Sequence, residues 1–252
     1  MKLIKEIKKM LSFFTIIPVG LDDDSDLFEG LAKCTPIFPL LGAFIGGISG
    51  LIALALSRIL PRHLNGFLTL GFLFLITGLH HVDGLLDFGD GLMCKGSPER
   101  KIAAMHDRQV GVGGFMLVFI IMSVTALAIA ELISIKVPLY LMVSEASAKL
   151  AIVYGAWIGK PVGGGMGQKF IEAMRKKRRN LRFLSALAIS LTISILTLGV
   201  NGVLGVIAGL LSALIVERIS IRHFNGLTGD VLGAMNELAR MSSLVIMLVI
   251  SR

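Results

Sequence analysis

Cysteine is nearly absent from this chain: Cys34 and Cys94 are the only two among 252 residues. Two distant thiols build neither a disulfide framework nor a zinc motif, so both are read as small reduced residues. Charge is scarce as well. Charged residues amount to 17%, where a soluble domain carries about a quarter. Short alternating strands are missing, which excludes a membrane-spanning barrel. No internal repeat breaks the chain into units, and nothing divides it into two domains; one integral membrane domain over 1–252 is expected. The first residues, MKLIKEIKKMLSFFTIIPVG, have the lysines and apolar run of a leader but no small-residue cleavage site. Leu3, Ile7, Met10 and Phe14 share a helical stripe, which predicts a retained helix lying at the membrane interface.

What remains is apolar and comes in long runs. Hydrophobic residues make up 54% of the chain and the mean hydropathy is +0.82. A bilayer span needs about 20 such residues in succession. The runs predict an all-α, polytopic membrane protein with about seven transmembrane helices plus the N-terminal interfacial helix. Spans are expected over about 38–60, 65–80, 112–133, 137–158, 183–200, 202–216 and 231–250. Before them lies an acidic loop with Asp22, Asp23, Asp24, Asp26 and Glu29; between them lie polar loops over 81–111, 160–182 and 217–230. In the first span Gly42, Gly46 and Gly50 recur every fourth residue, a small-residue face that lets helices approach closely in lipid.

The formal net charge is +8, yet the basic residues sit at span ends and form no single stripe. That pattern points to topology and anionic headgroups, with no nucleic acid as partner. With the N-terminus inside, nineteen lysines and arginines fall in inside segments, against Arg58, Arg62, Lys136 and Arg252 outside. A multi-pass protein of the cell membrane follows, with its polar loops, and so its active site, facing the cytoplasm.

Those loops carry the chemistry. In HHVDGLLDFGDG, residues 80–91, the aspartates Asp83, Asp87 and Asp90 are spaced four and three apart, which stacks them on one helical face. Three such charges repel, so either some protonate or a cation compensates. Oxygen ligands of this kind suit Mg²⁺, which shares its shell with substrate phosphates; a solvated acidic helix end is the plainer alternative. His80 and His81 adjoin the cluster, each an interfacial hydrogen-bonder or a functional group. In MHDRQVG, residues 105–111, Asp107 and Arg108 form an ion pair or supply a metal ligand and a phosphate contact. KPVGGGMGQKF, residues 160–170, offers glycines whose N–H groups can cradle phosphate, with Lys169 beside them; the same pattern also suits a flexible linker. In FNGLTGDVLGAMNE, residues 224–237, Thr228 and Asp230 open the last span. Within the spans, Glu145 with Lys149 and Glu237 with Arg240 are spaced for ion pairs, and such charges at membrane depth suggest a task.

Taken together these motifs resemble the cobalamin synthase family, membrane transferases of the last nucleotide-loop step, over nearly the whole chain. The family signature T-G-G-L-H-x-D-G-L-A-D-x-x-D-G is similar to this chain at Thr77, Gly78, His81, Asp83, Gly84, Leu85, Asp87, Asp90 and Gly91. Further stretches resembling family motifs are Phe13–Val19, Met105–Gly111, Gly165–Phe170 and Asn225–Ala234. Ile16, Arg108-Gln109, Lys149 and Arg240 depart from the usual pattern.

The resemblance implies transfer from adenosylcobinamide-GDP to α-ribazole or its 5′-phosphate, giving adenosylcobalamin (or its phosphate) and GMP. It implies Mg²⁺ on Asp83, Asp87 and Asp90, with His81 or a carboxylate, Asp107 among them, in the catalytic group. Arg108, Lys149, Gly165, Gly167, Lys169, Thr228 and Asp230 would bind substrate. The partners implied are corrinoid and nucleoside small molecules and the lipid bilayer, with room for a homo-oligomer or for other corrinoid-pathway enzymes. Two other readings share parts of the pattern. Another Mg²⁺-dependent membrane alcohol phosphotransferase or prenyltransferase also carries aspartates at a span mouth, though the latter should show a second aspartate-rich motif. A secondary transporter would line a path with charges such as Lys149 and Arg240.

Overall fold

The computed structural model describes residues 2–16, 18, 27–176 and 178–252, with side chains from residue 5 onward. The acidic stretch with Asp22, Asp23, Asp24 and Asp26, the side chains of Lys2 and Leu3, and Lys177 lie outside the described residues. The chain runs as α1 (Lys2–Phe14), α2 (Leu27–Cys34), a single 3₁₀ turn (Thr35–Ile37), α3 (Phe38–Leu56), α4 (Arg62–Thr77), α5 (His80–Met93) and α6 (Pro98–Met105). It continues as α7 (Val112–Glu131), α8 (Val137–Ile158), α9 (Gly165–Arg175), α10 (Arg179–Leu198), α11 (Val200–Phe224) and α12 (Gly229–Ser251). Among the described residues there is no β-strand, only an isolated bridge between Pro161 and Leu227.

Apolar length makes the spans. Among the described residues, six stretches are long and apolar enough to cross a bilayer: 27–56, α7, α8, α10, α11 and α12. A seventh arises if α4 and α5 count as one broken span, bent by 101°. The protein is a polytopic helical membrane protein. α8 lies at its centre, buried along nearly its whole length, with α3, α10, α11 and α12 packed around it.

The glycine ladder explains how closely the central helices meet. A Cβ at Gly42 would lie 2.3 Å from the Glu145 carbonyl oxygen, one at Gly46 2.1 Å from that of Leu141, and one at Gly50 2.3 Å from Pro138 Cα. Those distances are too short for any side chain, so the expected small face of α3 is pressed backbone to backbone against α8.

Three regions differ from expectation. In the polar stretch 81–111 the helix expected at the aspartates is α5, and α6 follows it in place of a loop, because Leu85, Phe88 and Met105 give each helix a buried face. Ser97 caps α6, its hydroxyl accepting from the Arg100 N–H at 3.4 Å. The basic segment 160–182 likewise contains α9, anchored by Phe170, Ile171 and Met174, and α11 runs on through Glu217 to Phe224. The N-terminal stripe, expected at the interface, is at its C-terminal end part of the protein core. Met10 and Phe14 are buried, and the Phe14 ring meets Phe38 edge-on with centroids 4.6 Å apart.

Candidate active site

The site begins at a sharp corner. α4 stops at Thr77, and Gly78, with φ of 67°, turns the chain through a conformation that only glycine adopts readily. α5 then leaves at a steep angle, carrying Asp83, Asp87 and Asp90 on one face. Glycines hold α5 in place from two sides. A Cβ at Gly84 would meet the Asp230 backbone at 2.8 Å, and one at Gly89 would meet Gly114 Cα at 2.7 Å. α5 is thus clamped between the start of α12 and the start of α7.

The clamp brings a fourth carboxylate to the first three. Thr228 caps α12, its hydroxyl accepting from the Val231 N–H at 3.3 Å, and the same hydroxyl lies 3.2 Å from Asp230 Oδ2 as a donor. His106, just past α6, places Nε2 3.7 Å from that carboxylate oxygen. Asp87 is half-buried in the unfavourable field of Asp230, Asp83 and Asp90. The glycine-rich segment reaches the same place: a Cβ at Gly167 would sit 2.2 Å from Gly229 Cα. Backbone bonds between Val162 N and Leu227 O (3.1 Å) and between Leu227 N and Lys160 O (2.8 Å) zip the two segments together.

Between these elements lies a cavity of about 440 Å³. Its polar lining includes His80, His81, Asp83, His106, Thr228 and Asp230, with backbone from Gly164 to Gly167. Its apolar lining includes Phe13, Leu27, Ile152, Phe170 and Leu232. Of the residues expected from sequence, His81, Asp83, Gly165, Gly167, Thr228 and Asp230 line this cavity.

The others stand apart from it in different ways. Asp87 faces the carboxylate group from α5 without reaching the cavity wall. Both oxygens of Asp90 accept backbone N–H bonds, from Gly111 and Gly114, each at 2.8 Å; its carboxylate caps α7 and docks that helix on α5. Asp107 and Arg108 are exposed on the turn beyond His106, and Asp107 accepts from the Gln109 N–H at 3.1 Å. Lys169 is exposed, its ammonium 6.0 Å from the Phe28 ring centroid.

Lys149 lies fully buried below the cavity. It donates to Asn236 Oδ1 at 2.7 Å and stands 3.9 Å from Glu145. Arg240 joins this group, pairing with both Glu145 and Glu237, while Asn236 donates to Glu237 at 3.0 Å. The two ion pairs expected along single helices are therefore one network across α8 and α12. Phe14 roofs it, with the Lys149 ammonium 5.4 Å from the ring centroid, and stacks on His81 at 5.9 Å. Nδ1 of His81 has no hydrogen-bond partner among the described residues.

His106, Phe13 and Phe170 are cavity residues that the sequence reading did not assign to the site. His106 sits within a motif that had been singled out for its neighbours Asp107 and Arg108. The two phenylalanines sit at the ends of the family-like stretches Phe13–Val19 and Gly165–Phe170, and they reach the cavity through the folding of α1 and α9.

Among the described residues, no three His, Cys, Asp or Glu side chains form a ready cation cage. Mg²⁺ does not require one: it is commonly held by one or two carboxylates and completes its octahedron with water and substrate phosphates. One or two of Asp83, Asp87 and Asp230 could hold it in that way.

Fold and site define a class: an integral membrane protein with a carboxylate-lined, glycine-edged cavity where four polar segments of the chain meet. Comparison with known proteins is more specific. Residues 6–248 match the family described as Cobalamin-5-phosphate synthase, and the chain belongs to that family. Relatives named adenosylcobinamide-GDP ribazoletransferase occur in Methanococcoides burtonii (30% identical, over 96% of this chain and 91% of the relative) and in Methanocella arvoryzae (34%, 97% and 96%). Another, from Thermococcus gammatolerans, is 36% identical over 97% of both chains. No solved structure matches the chain.

Proposed function

We propose that this protein transfers the phosphate-linked corrinoid of adenosylcobinamide-GDP to a ribose hydroxyl of α-ribazole or its 5′-phosphate, releasing GMP. The observation that carries this reading is the meeting of Asp83, Thr228 and Asp230 with the Gly164–Gly167 turn in one cavity, in a chain of this family. In the reaction a ribose oxygen bonds to the corrinoid-side phosphorus, the bridging P–O bond breaks, and GMP leaves with the electron pair. Asp83 or Asp230, both lining the cavity, takes the hydroxyl proton. Backbone N–H groups of the glycine turn receive phosphate oxygens as their charge grows. Asp87 with one of Asp83 and Asp230 would hold Mg²⁺, which when bound supplies charge neutralisation at the diphosphate. Thr228 fixes the Asp230 carboxylate, and Asp90 keeps α7 seated so that α5 cannot drift.

The site faces the cytoplasm in this proposal. All four polar segments converge at one end of the bundle, and that end carries the excess of lysine and arginine. Cys94 lies on that side between α5 and α6. In sealed right-side-out vesicles it should resist an impermeant thiol reagent and react once the vesicles are opened; labelling from outside contradicts the orientation. The chemical assignment is tested with Asp83→Asn and Asp87→Asn. Each should lower Mg²⁺-dependent GMP release by roughly 100-fold or more while the protein still inserts and purifies normally. Wild-type rates in both would refute the site.

A further inference from the structure

The two substrates of the proposed reaction differ in size and in surface. A corrinoid ring with its amide arms and upper ligand is far bulkier than a nucleoside. The cavity, at about 440 Å³, lies in the lower part of the range that encloses a single small ligand, roughly 300–1,000 Å³. It can enclose one nucleoside, and it cannot enclose a corrinoid.

Its lining sorts the ligand further. Phe13 and Phe170 stand with ring centroids 6.2 Å apart, and Phe170 is itself stacked on Phe38 at 6.1 Å. With Leu27 and Ile152 they make an aromatic and aliphatic wall, while Asp83 and Asp230 come from α5 and α12. An aromatic base fits such a wall and a ribose fits the carboxylates. Both substrates carry an aromatic base, because the corrinoid is linked to guanosine. The edge of guanine, however, bears donors and an acceptor that Phe13, Leu27, Ile152 and Phe170 cannot pair, so guanine would have to turn that edge to the polar side of the lining, where ribose and phosphate must also fit. A benzimidazole presents only C–H and methyl groups along its outer edge.

We infer that this cavity is the pocket of the attacking nucleoside, with its benzimidazole packed on Phe13, which Phe170 backs from the core, and its ribose directed to Asp83 and Asp230. The corrinoid stays outside, and only its diphosphate reaches the Gly164–Gly167 turn. The inference rests on the proposed transfer reaction and adds which substrate the enclosed space selects.

The test uses the full chain in detergent, with calorimetric binding of α-ribazole and of adenosylcobinamide-GDP measured separately. Phe13 is half-buried, so Phe13→Leu keeps an apolar filler and removes the ring. It should weaken α-ribazole roughly threefold to tenfold and leave adenosylcobinamide-GDP unchanged. Equal weakening of both ligands, or weakening of the corrinoid alone, overturns the inference. Competitive displacement of α-ribazole by GMP also overturns it, since guanine would then be the occupant. Wild-type protein that binds neither substrate overturns the transfer reaction itself, a result distinct from the others.

Discussion

Adding one methyl group at Gly167 should cripple the enzyme while leaving most of its fold intact. The added Cβ would lie 2.2 Å from Gly229 Cα and 2.3 Å from Gly229 N, both backbone atoms that cannot swing aside. Ordinary contact begins near 3.4 Å, so a gap of about 1 Å must open between the first turns of α9 and α12. The glycine turn and the Thr228–Asp230 cap would then move apart, and a misplacement of about 1 Å at reacting groups costs on the order of 100-fold in rate. Alanine keeps the backbone N–H, so the loss cannot be blamed on a missing donor. Gly229, on the other side of the same contact, is the control. Its Cβ would meet Gly167 Cα at 3.2 Å and N at 3.5 Å, which asks for a shift of only a few tenths of an ångström. GMP release by purified Gly167→Ala and Gly229→Ala, with thermal unfolding of each, separates the cases. Gly167→Ala should be about 100-fold slow with a small loss of stability, and Gly229→Ala close to wild type. Near-normal turnover in Gly167→Ala, or equal damage in both, would refute the packing argument.

Other outcomes follow from the same geometry. Asp90→Asn replaces one of the two acceptors that cap α7 with a donor and should cost about 1–2 kcal/mol of stability; an unchanged melting curve counts against the cap. Arg240→Met strands Glu145 and Glu237 in the interior and should cost about 3–5 kcal/mol, seen as loss of detergent-stable protein. Adding Glu237→Gln, which leaves Lys149 paired with Glu145, should recover much of it, and a fully stable single variant contradicts the network. Gly46→Ala should lower thermal stability, because its Cβ would sit 2.1 Å from the Leu141 carbonyl oxygen; stability equal to wild type argues against the α3–α8 contact.

The spans were legible because hydropathy alone decides which segments cross a bilayer. α8 was read at its true limits, since Lys136, Pro138 and Gly159 bracket it. α11 was read short because Glu217, Arg218 and Arg222 look like a loop, yet a helix does not end where its surroundings turn polar. α6 and α9 are hidden in the sequence for a related reason: each buries only one narrow face, and its polar content outweighs it. Within the site, the Asp83 cluster and the Thr228–Asp230 pair showed themselves through local spacing. The link from Arg240 to Glu145 did not, because it joins two helices far apart in sequence. The same holds for the approach of His106 to Asp230, and for Phe13 and Phe170, which only the folding of α1 and α9 over the carboxylates brings to the cavity.

The most direct measurement of the central claim is made on the purified, detergent-solubilised chain supplied with adenosylcobinamide-GDP, α-ribazole and Mg²⁺, with GMP and corrinoid products quantified together. The account predicts one GMP for each adenosylcobalamin formed, no GMP without α-ribazole, and loss of both products when EDTA removes the metal. GMP released without α-ribazole, or no joined corrinoid despite intact protein, would contradict it.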